Sequence, residues 1–169
     1  DLPGAVDIVL YKIPKSKALL CEQLFQLRKV ITNNTLFVAV DKAKNIHNST
    51  LALFEKYLGS TTTSLAVKKS RLIFCQVDNE FQQLSDEKFS QITRWQLASP
   101  QLTITNYANV FAREKLDIGA RVFIDHLPEI NEAKGKKIID LGCGNGVVGL
   151  SMLAKSSDCQ LHFVDESFM

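Results

Sequence analysis

The run Asp140-Leu141-Gly142-Cys143-Gly144-Asn145-Gly146 constrains this chain more than any other part of it. It follows Lys137–Leu141 (KIIDL), an apolar segment that reads as a buried strand, and precedes Val147–Ala154, which reads as a helix. Leu161–Val164 (LHFV) is the next strand, and Asp165 closes it. Strand, glycine loop, helix and strand in this order make a βαβ unit, which belongs to a parallel sheet in an α/β fold. Without side chains, the glycines let the backbone turn tightly and approach a ligand closely.

The loop departs from the common nucleotide fingerprints. A dinucleotide loop reads G-x-G-x-x-G; here the sixth place is Val147 and the third glycine comes one residue early. No G-K-[ST] follows, which excludes a phosphate-gripping P-loop. Asp140, at the strand end, would repel a pyrophosphate and attract the positive end of an amino-acid-like cofactor. That chemistry favours S-adenosylmethionine over NAD and makes a nucleotide-dependent oxidoreductase the weaker reading. Asp165 lies twenty-three residues after Gly142, near the spacing of about twenty expected of a ribose-binding carboxylate. Its two oxygens can accept from both ribose hydroxyls.

Upstream, Val6–Tyr11 and Leu36–Val40 read as buried strands. Between them Ser16 is placed to cap a helix whose face is Leu20, Leu24, Leu27 and Ile31. Asn48 or Ser49 would cap a second helix with the face Leu51, Phe54 and Leu58, stopped by Gly59. Ser64–Val67 and Arg71–Val77 are strand candidates around the turn Lys68-Lys69-Ser70, and such a hairpin can finish a parallel sheet as an antiparallel edge. Residues 78–105 are polar and weakly periodic, with a faint helix around Lys88–Leu97, and read as a linker with some structure. A helix through Ile118, Val122 and His126 opens the second segment. The expected division is therefore 1–77, a linker 78–105, and 106–169.

The 169 residues carry twenty basic and eighteen acidic side chains. Residues 1–99 hold thirteen basic and nine acidic; residues 100–169 hold seven and nine. A mildly basic first part is compatible with phosphate contacts. No run approaches the roughly twenty apolar residues of a membrane helix. Cys21, Cys75, Cys143 and Cys159 show no CxxC spacing, and His47, His126 and His162 lie in different elements, so no metal site is expected. Cys21 and Cys75 read as small core residues, and a reducing, cytoplasmic setting is the expectation. The chain begins almost directly in a strand and stops one strand into a new pattern, and so reads as a piece of a longer protein.

Several motifs together resemble a known family. They are Asn109-Val110-Phe111-Ala112-Arg113, Leu116-Asp117-Ile118-Gly119-Ala120-Arg121, Asp140–Leu150 (DLGCGNGVVGL) and Phe163–Ser167 (FVDES). Taken together they resemble the "methyltransferase small" domain, and most of all that of large-subunit ribosomal RNA guanine-N2 methyltransferases of the RlmG type. Their small-subunit relatives, of the RsmC type, carry a similar loop. Ile13–Leu20 (IPKSKALL), Lys44–His47, Leu58-Gly59 and Thr63–Arg71 resemble the back half of the family's first, degenerate domain.

The resemblance implies tandem Rossmann-like class I methyltransferase folds: here the rear of a degenerate first domain, then the start of a domain binding S-adenosylmethionine. It implies methylation of guanine N2 in 23S rRNA, at position 1835 of the usual rRNA numbering, by the full-length protein. A 16S rRNA target and a non-catalytic RNA- or ribosome-binding piece are the alternatives. Asp140, Gly142, Gly144, Gly146 and Asp165 match the family's cofactor loop and ribose carboxylate, and Phe111, Arg113, Asp117 and Gly119 match the segment that closes over the cofactor. Lys15, Lys17, Lys68, Lys69 and Arg71 are the candidate RNA contacts. The Asn-Pro-Pro-Phe motif that holds the guanine in this family is absent from these residues, so the chain alone is expected to be inactive. Ribosomal RNA is the expected partner, with no membrane, no metal and a monomeric state.

Overall fold

The computed structural model describes residues 4–78, 92–128 and 130–167. The chain forms two compact units, Asp1–Gln91 and Ile92–Met169. In the first, β1 (Ile8–Lys12), α1 (Lys17–Leu27), β2 (Leu36–Lys42) and α2 (Asn48–Tyr57) follow in the expected order, with a 3-10 turn at Ala43–Asn45. β1 and β2 are parallel, and β4 (Ser70–Cys75) joins β2 antiparallel. β3 (Thr61–Thr63) forms the outer edge, giving the order β1-β2-β4-β3. The hairpin thus adds antiparallel strands to a parallel pair, as its sequence suggested.

One face of this sheet packs on the helices. Phe37, Ala39, Ile73 and Cys75 point inward and meet Leu20, Leu24, Phe54 and Leu58, with Val9 and Tyr11 half-buried against them. The alternation of strand side chains leaves Ile8, Leu10, Leu36 and Phe74 exposed on the other face. Ser16 caps α1, its Oγ accepting from Leu19 N at 3.3 Å. Cys21 and Cys75 are buried free thiols, and burial pushes the Cys75 thiol up to about 12.

Three expectations need correction here. α2 is capped by His47, not by Asn48 or Ser49, and its cap makes no side-chain hydrogen bond. The first hairpin strand is Thr61–Thr63, not Ser64–Val67. The register Thr63↔Ile73 leaves 64–69 as connection, and Val67 and Ser70 exchange two backbone hydrogen bonds of 2.9 Å around the turn. Where a linker with some structure and a faint helix was expected, β5 (Thr93–Leu97) and β6 (Leu102–Asn106) form an antiparallel hairpin. The part of the faint helix at 93–97 is strand, because Trp95 and Leu97 alternate with polar residues; residues 79–91 lie outside the described ones.

In the second unit, Leu97 and Ile104 from this hairpin pack with Ile124 and Val147. Ile124 lies on α3 (Ile118–Asp125) and Val147 on α5 (Val147–Lys155). A short α4 (Ile130–Ala133), not foreseen in the sequence, precedes β7 (Lys137–Leu141). β7 and β8 (Gln160–Val164) pair in parallel from Lys137↔Gln160 to Leu141↔Val164. α5 connects them, completing the βαβ unit.

Candidate cofactor site

The glycine loop joins β7 to α5 with a positive φ at each glycine: 72° at Gly142, 53° at Gly144 and 73° at Gly146. Side chains rarely adopt that backbone, which explains the alternation of glycines. The loop's N–H groups are mostly turned inward. Gly142 N and Cys143 N donate to Val164 O at 2.7 and 3.1 Å, Gly146 N donates to Cys143 O at 2.7 Å, and Gly144 N donates to Asp165 Oδ2 at 2.8 Å. A loop that grips phosphate presents free N–H groups to the ligand. This one has committed four of its own to acceptors within the protein.

Asp165 stands at the end of β8, beside the loop. Its Oδ1 accepts from Ser167 N at 2.8 Å, while Oδ2 accepts from Gly144 N. The N–H groups of Ser167 and Gly144 hold its carboxyl below the usual 3.8. Each oxygen keeps a further lone pair for a hydroxyl donor. Because the folded-state pKa is depressed, the stability this group contributes is present at pH 3.8 and above. It is lost as pH falls through the lower folded value. A side-chain carboxyl NMR titration is expected to give an Asp165 midpoint below 3.8, and a midpoint above it would refute this account.

Two clefts flank the loop. One, of about 750 Å³, is lined by Asn109, Phe111, Gly142, Gly144, Asp165 and Ser167, among others. The other, of about 720 Å³, includes Phe111, Asp117, Gly119, Asp140, Gly142 and Gly144. Both volumes suit a small-molecule ligand. Phe111 belongs to both and is 70 % exposed, and its Cβ lies 3.7 Å from where a Gly144 side chain would begin. The structure thus brings Asp165, Phe111, Gly142 and Gly144 together at one opening.

Other candidates take different places. Asp140 Oδ2 accepts from Gly149 N at 2.9 Å, so this carboxylate straps β7 to the first turn of α5. Asp117 is the N-cap of α3 and accepts from Ala120 N at 3.2 Å. Gly119 fits tightly behind it, for a Cβ there would lie 3.0 Å from Asp117 Oδ2. Arg113 lines neither cleft. Its carbonyl is anchored, accepting from Thr93 Oγ1 and Asn106 Nδ2 at 2.9 Å each. The β5–β6 hairpin therefore fixes the segment that carries Phe111. Cys143, inside the loop, has its thiol pushed up by burial and by the carboxylates of Asp140 and Asp165, which suits a steric rather than a nucleophilic role.

Sequence reasoning missed four contributors. Asn109 Nδ2 donates to Ser167 Oγ at 2.7 Å, tying the Phe111 segment to the turn after β8. Asn145 Oδ1 accepts from Val147 N at 3.2 Å, and its Nδ2 donates to Ala112 O at 3.5 Å. Ala112 itself has a φ of 53°, an unusual backbone for a residue with a side chain, beside the cleft. Asn and Ser next to a loop or a helix start are the signals that could have found them.

The residues fit S-adenosylmethionine by their donor set: an exposed carboxylate with spare lone pairs for a ribose, an exposed aromatic ring, and no free cradle of N–H groups for a pyrophosphate. Among the described residues no cluster of metal-ligating side chains occurs, and no helix is long and apolar enough to cross a membrane.

Comparisons with known proteins agree with this geometry. Residues 1–79 match the RLMG N-terminal domain, and residues 101–169 match the methyltransferase small domain. A protein named ribosomal RNA large subunit methyltransferase G from Colwellia psychrerythraea is 53% identical, over all of this chain and 44% of its own length. A protein of the same name from Pseudoalteromonas atlantica is 54% identical, over 96% of this chain and 41% of its own. The chain thus spans less than half the length of these curated relatives. A solved structure, the T. thermophilus 16S rRNA N2 G1207 methyltransferase (RsmC) in complex with AdoMet and guanosine, superposes with a TM-score of 0.75. It is 14% identical, covers 97% of this chain and 44% of that one, and shows a shared fold. The chain thus carries an RLMG N-terminal domain followed by a methyltransferase small domain, and along its own length it is similar to proteins named ribosomal RNA large subunit methyltransferase G.

Proposed function

We propose that the intact protein transfers a methyl group from S-adenosylmethionine to N2 of a guanine in 23S rRNA. The observation that carries this reading is the inward-turned glycine loop locked to Asp165, which leaves a carboxylate for a ribose and no cradle for a phosphate. The rRNA target is supported by the names of the relatives that are 53% and 54% identical.

When bound, S-adenosylmethionine supplies an electrophilic methyl on a sulfonium centre. The chain's own residues bind and orient. Asp165 accepts from the ribose hydroxyls while its bonds to Gly144 and Ser167 keep it rigid. Phe111 offers its exposed ring to a planar group. Asp140 and Asp117 hold α5 and α3 in place behind the loop and so position it. Gly142 leaves open space where the ligand approaches, with nothing within 4 Å of the point a Cβ would occupy. The domain division follows the same reading: a degenerate copy first, then the cofactor domain. The protein acts as a cytoplasmic monomer in this proposal.

No Asn-Pro-Pro-Phe run occurs in the 169 residues, so the base-holding contacts are assigned to none of them, and the chain alone is inactive in this reading. A 16S target is the second reading, since the superposable structure is that of a 16S rRNA methyltransferase. Incubating the intact protein with radiolabelled S-adenosylmethionine and deproteinised 23S or 16S rRNA separates them. Label is expected in N2-methylguanine of 23S rRNA. Label in 16S rRNA alone favours the second reading, and label in neither refutes both.

A further inference from the structure

We infer that Asn109 and Asn145 are positioning residues, whose two amides hold Phe111 in a fixed relation to Asp165 so that one nucleoside meets ring and carboxylate together. This deepens the proposal that the opening takes S-adenosylmethionine, and rests on it.

The Phe111 ring is largely exposed, so burial against a core does not set its place. The backbone on either side of it must do so. On the carboxyl side, Arg113 O accepts from Thr93 Oγ1 and from Nδ2 of the fully buried Asn106, which pins the segment to the β5–β6 hairpin. Between that anchor and the ring stands Ala112, whose φ of 53° is costly for a residue with a side chain. An alanine keeps such a backbone where its surroundings enforce it.

The two asparagines supply that enforcement, one before the ring and one after it. Asn109 Nδ2 donates to Ser167 Oγ at 2.7 Å. Asn145 Nδ2 donates to Ala112 O at 3.5 Å, a longer bond that falls on the strained residue itself. Asn145 is fixed in turn, because its Oδ1 accepts from Val147 N at the start of α5. The far ends of both tethers meet at Asp165. Ser167 N donates to its Oδ1, and Gly144 N, next to Asn145, donates to its Oδ2, both at 2.8 Å. These bonds and the short stretches of chain between them close a circuit around the opening, with Phe111 and Asp165 both part of it. Gly144 completes the fit, since the point where its Cβ would lie is 3.7 Å from Phe111 Cβ. An opening held ready in this way spares its ligand the cost of ordering it.

Two measurements on the intact protein test this. Hydrogen exchange of residues 107–116 is followed without ligand, and dissociation constants for S-adenosylmethionine and adenosine are measured by calorimetry. Loss of one neutral hydrogen bond weakens an interaction about three- to tenfold. Asn109→Ala and Ser167→Ala are each expected to lose that much affinity for both ligands, and N109A/S167A no more than either alone. In a Phe111→Ala background, Asn109→Ala is expected to lose less than about twofold, because the ring it positions is gone. Asn145→Ser keeps an acceptor for Val147 N but is too short to reach Ala112 O, and is expected to weaken binding as Asn109→Ala does. In all three single variants exchange should quicken at 107–116 and stay unchanged in β5 and β6, with the urea midpoint of the second unit, read from Trp95 emission, at its parent value. A full loss from Asn109→Ala in the Phe111→Ala background would show that Asn109 does not act through the ring, and overturns the inference. Unchanged exchange at 107–116 overturns it too, as does a urea midpoint that falls in step with affinity in every variant. A parent that binds neither ligand overturns the cofactor reading instead, and the exchange result then still decides whether the two amides hold the segment.

Discussion

An Asp165→Ala variant of the intact protein is expected to bind S-adenosylmethionine on the order of a hundredfold more weakly, because charge-assisted hydrogen bonds to a ribose are lost. Two separable effects combine in this loss. Asp165 receives Gly144 N and Ser167 N, so its removal also releases the glycine loop from the turn after β8. It further removes the acceptor proposed for the ribose. Titrating adenosine and 2′,3′-dideoxyadenosine into parent and variant divides the two effects. A ribose role predicts a large loss for adenosine and a small one for the dideoxy compound. Equal losses would show that Asp165 acts only by holding the loop. Asp165→Asn keeps one carbonyl acceptor and is expected to fall between the parent and the alanine variant.

How much of this site was legible in the sequence depends on which interaction is asked about. The βαβ unit was plain because its signals are local: an apolar strand, glycines where φ must be positive, an apolar helix, and a carboxylate at the next strand end. The bounds of β7 agree with the sequence reading, and α5 and β8 differ from it by one residue each. The partners of the acids were not legible. Asp140 lines a cleft beside the loop, but that its Oδ2 also accepts from Gly149 N of α5 was not readable from the sequence. Asp117 similarly serves the start of its own helix.

The β5–β6 hairpin was present in the sequence but easily misread. Trp95 and Leu97, then Leu102 and Ile104, alternate with polar residues as a half-buried sheet requires. Counting polarity without its period of two turned them into a linker. Of the basic residues at the carboxyl end of the first sheet, the sequence reading singled out Lys15, Lys17, Lys68, Lys69 and Arg71 but not Lys12, Lys42 and Lys44. Lys12, Lys42 and Lys69 are brought together only by the parallel pairing of β1 with β2 and the antiparallel return of β4.

That return also sets the largest expected loss of stability, at Gly59. Its φ is 138°, a backbone that side chains rarely adopt, and a Cβ there would collide with the carbonyl oxygen of Gln76 and lie 3.0 Å from Asp78 N. Neither neighbour can easily withdraw. Gln76 N donates to Ser60 O at 2.9 Å and Asp78 N to Leu58 O at 2.8 Å, so the two backbones are clamped on either side of Gly59. Strain in φ and overpacking each cost about 1–3 kcal/mol, and together Gly59→Ala is expected to cost about 3–5 kcal/mol, much of the stability of a unit this size. Gly4→Ala is the control, since nothing lies within 4 Å of its Cβ position, and it is expected to stay within about 0.5 kcal/mol. The single tryptophan, Trp95, belongs to the second unit, so its emission follows that unit while far-ultraviolet circular dichroism follows both. In urea, Gly59→Ala should move the circular dichroism transition to lower denaturant and shift the emission transition less. A loss under about 1 kcal/mol would mean that the clamp yields, and with it the account of why glycine ends α2.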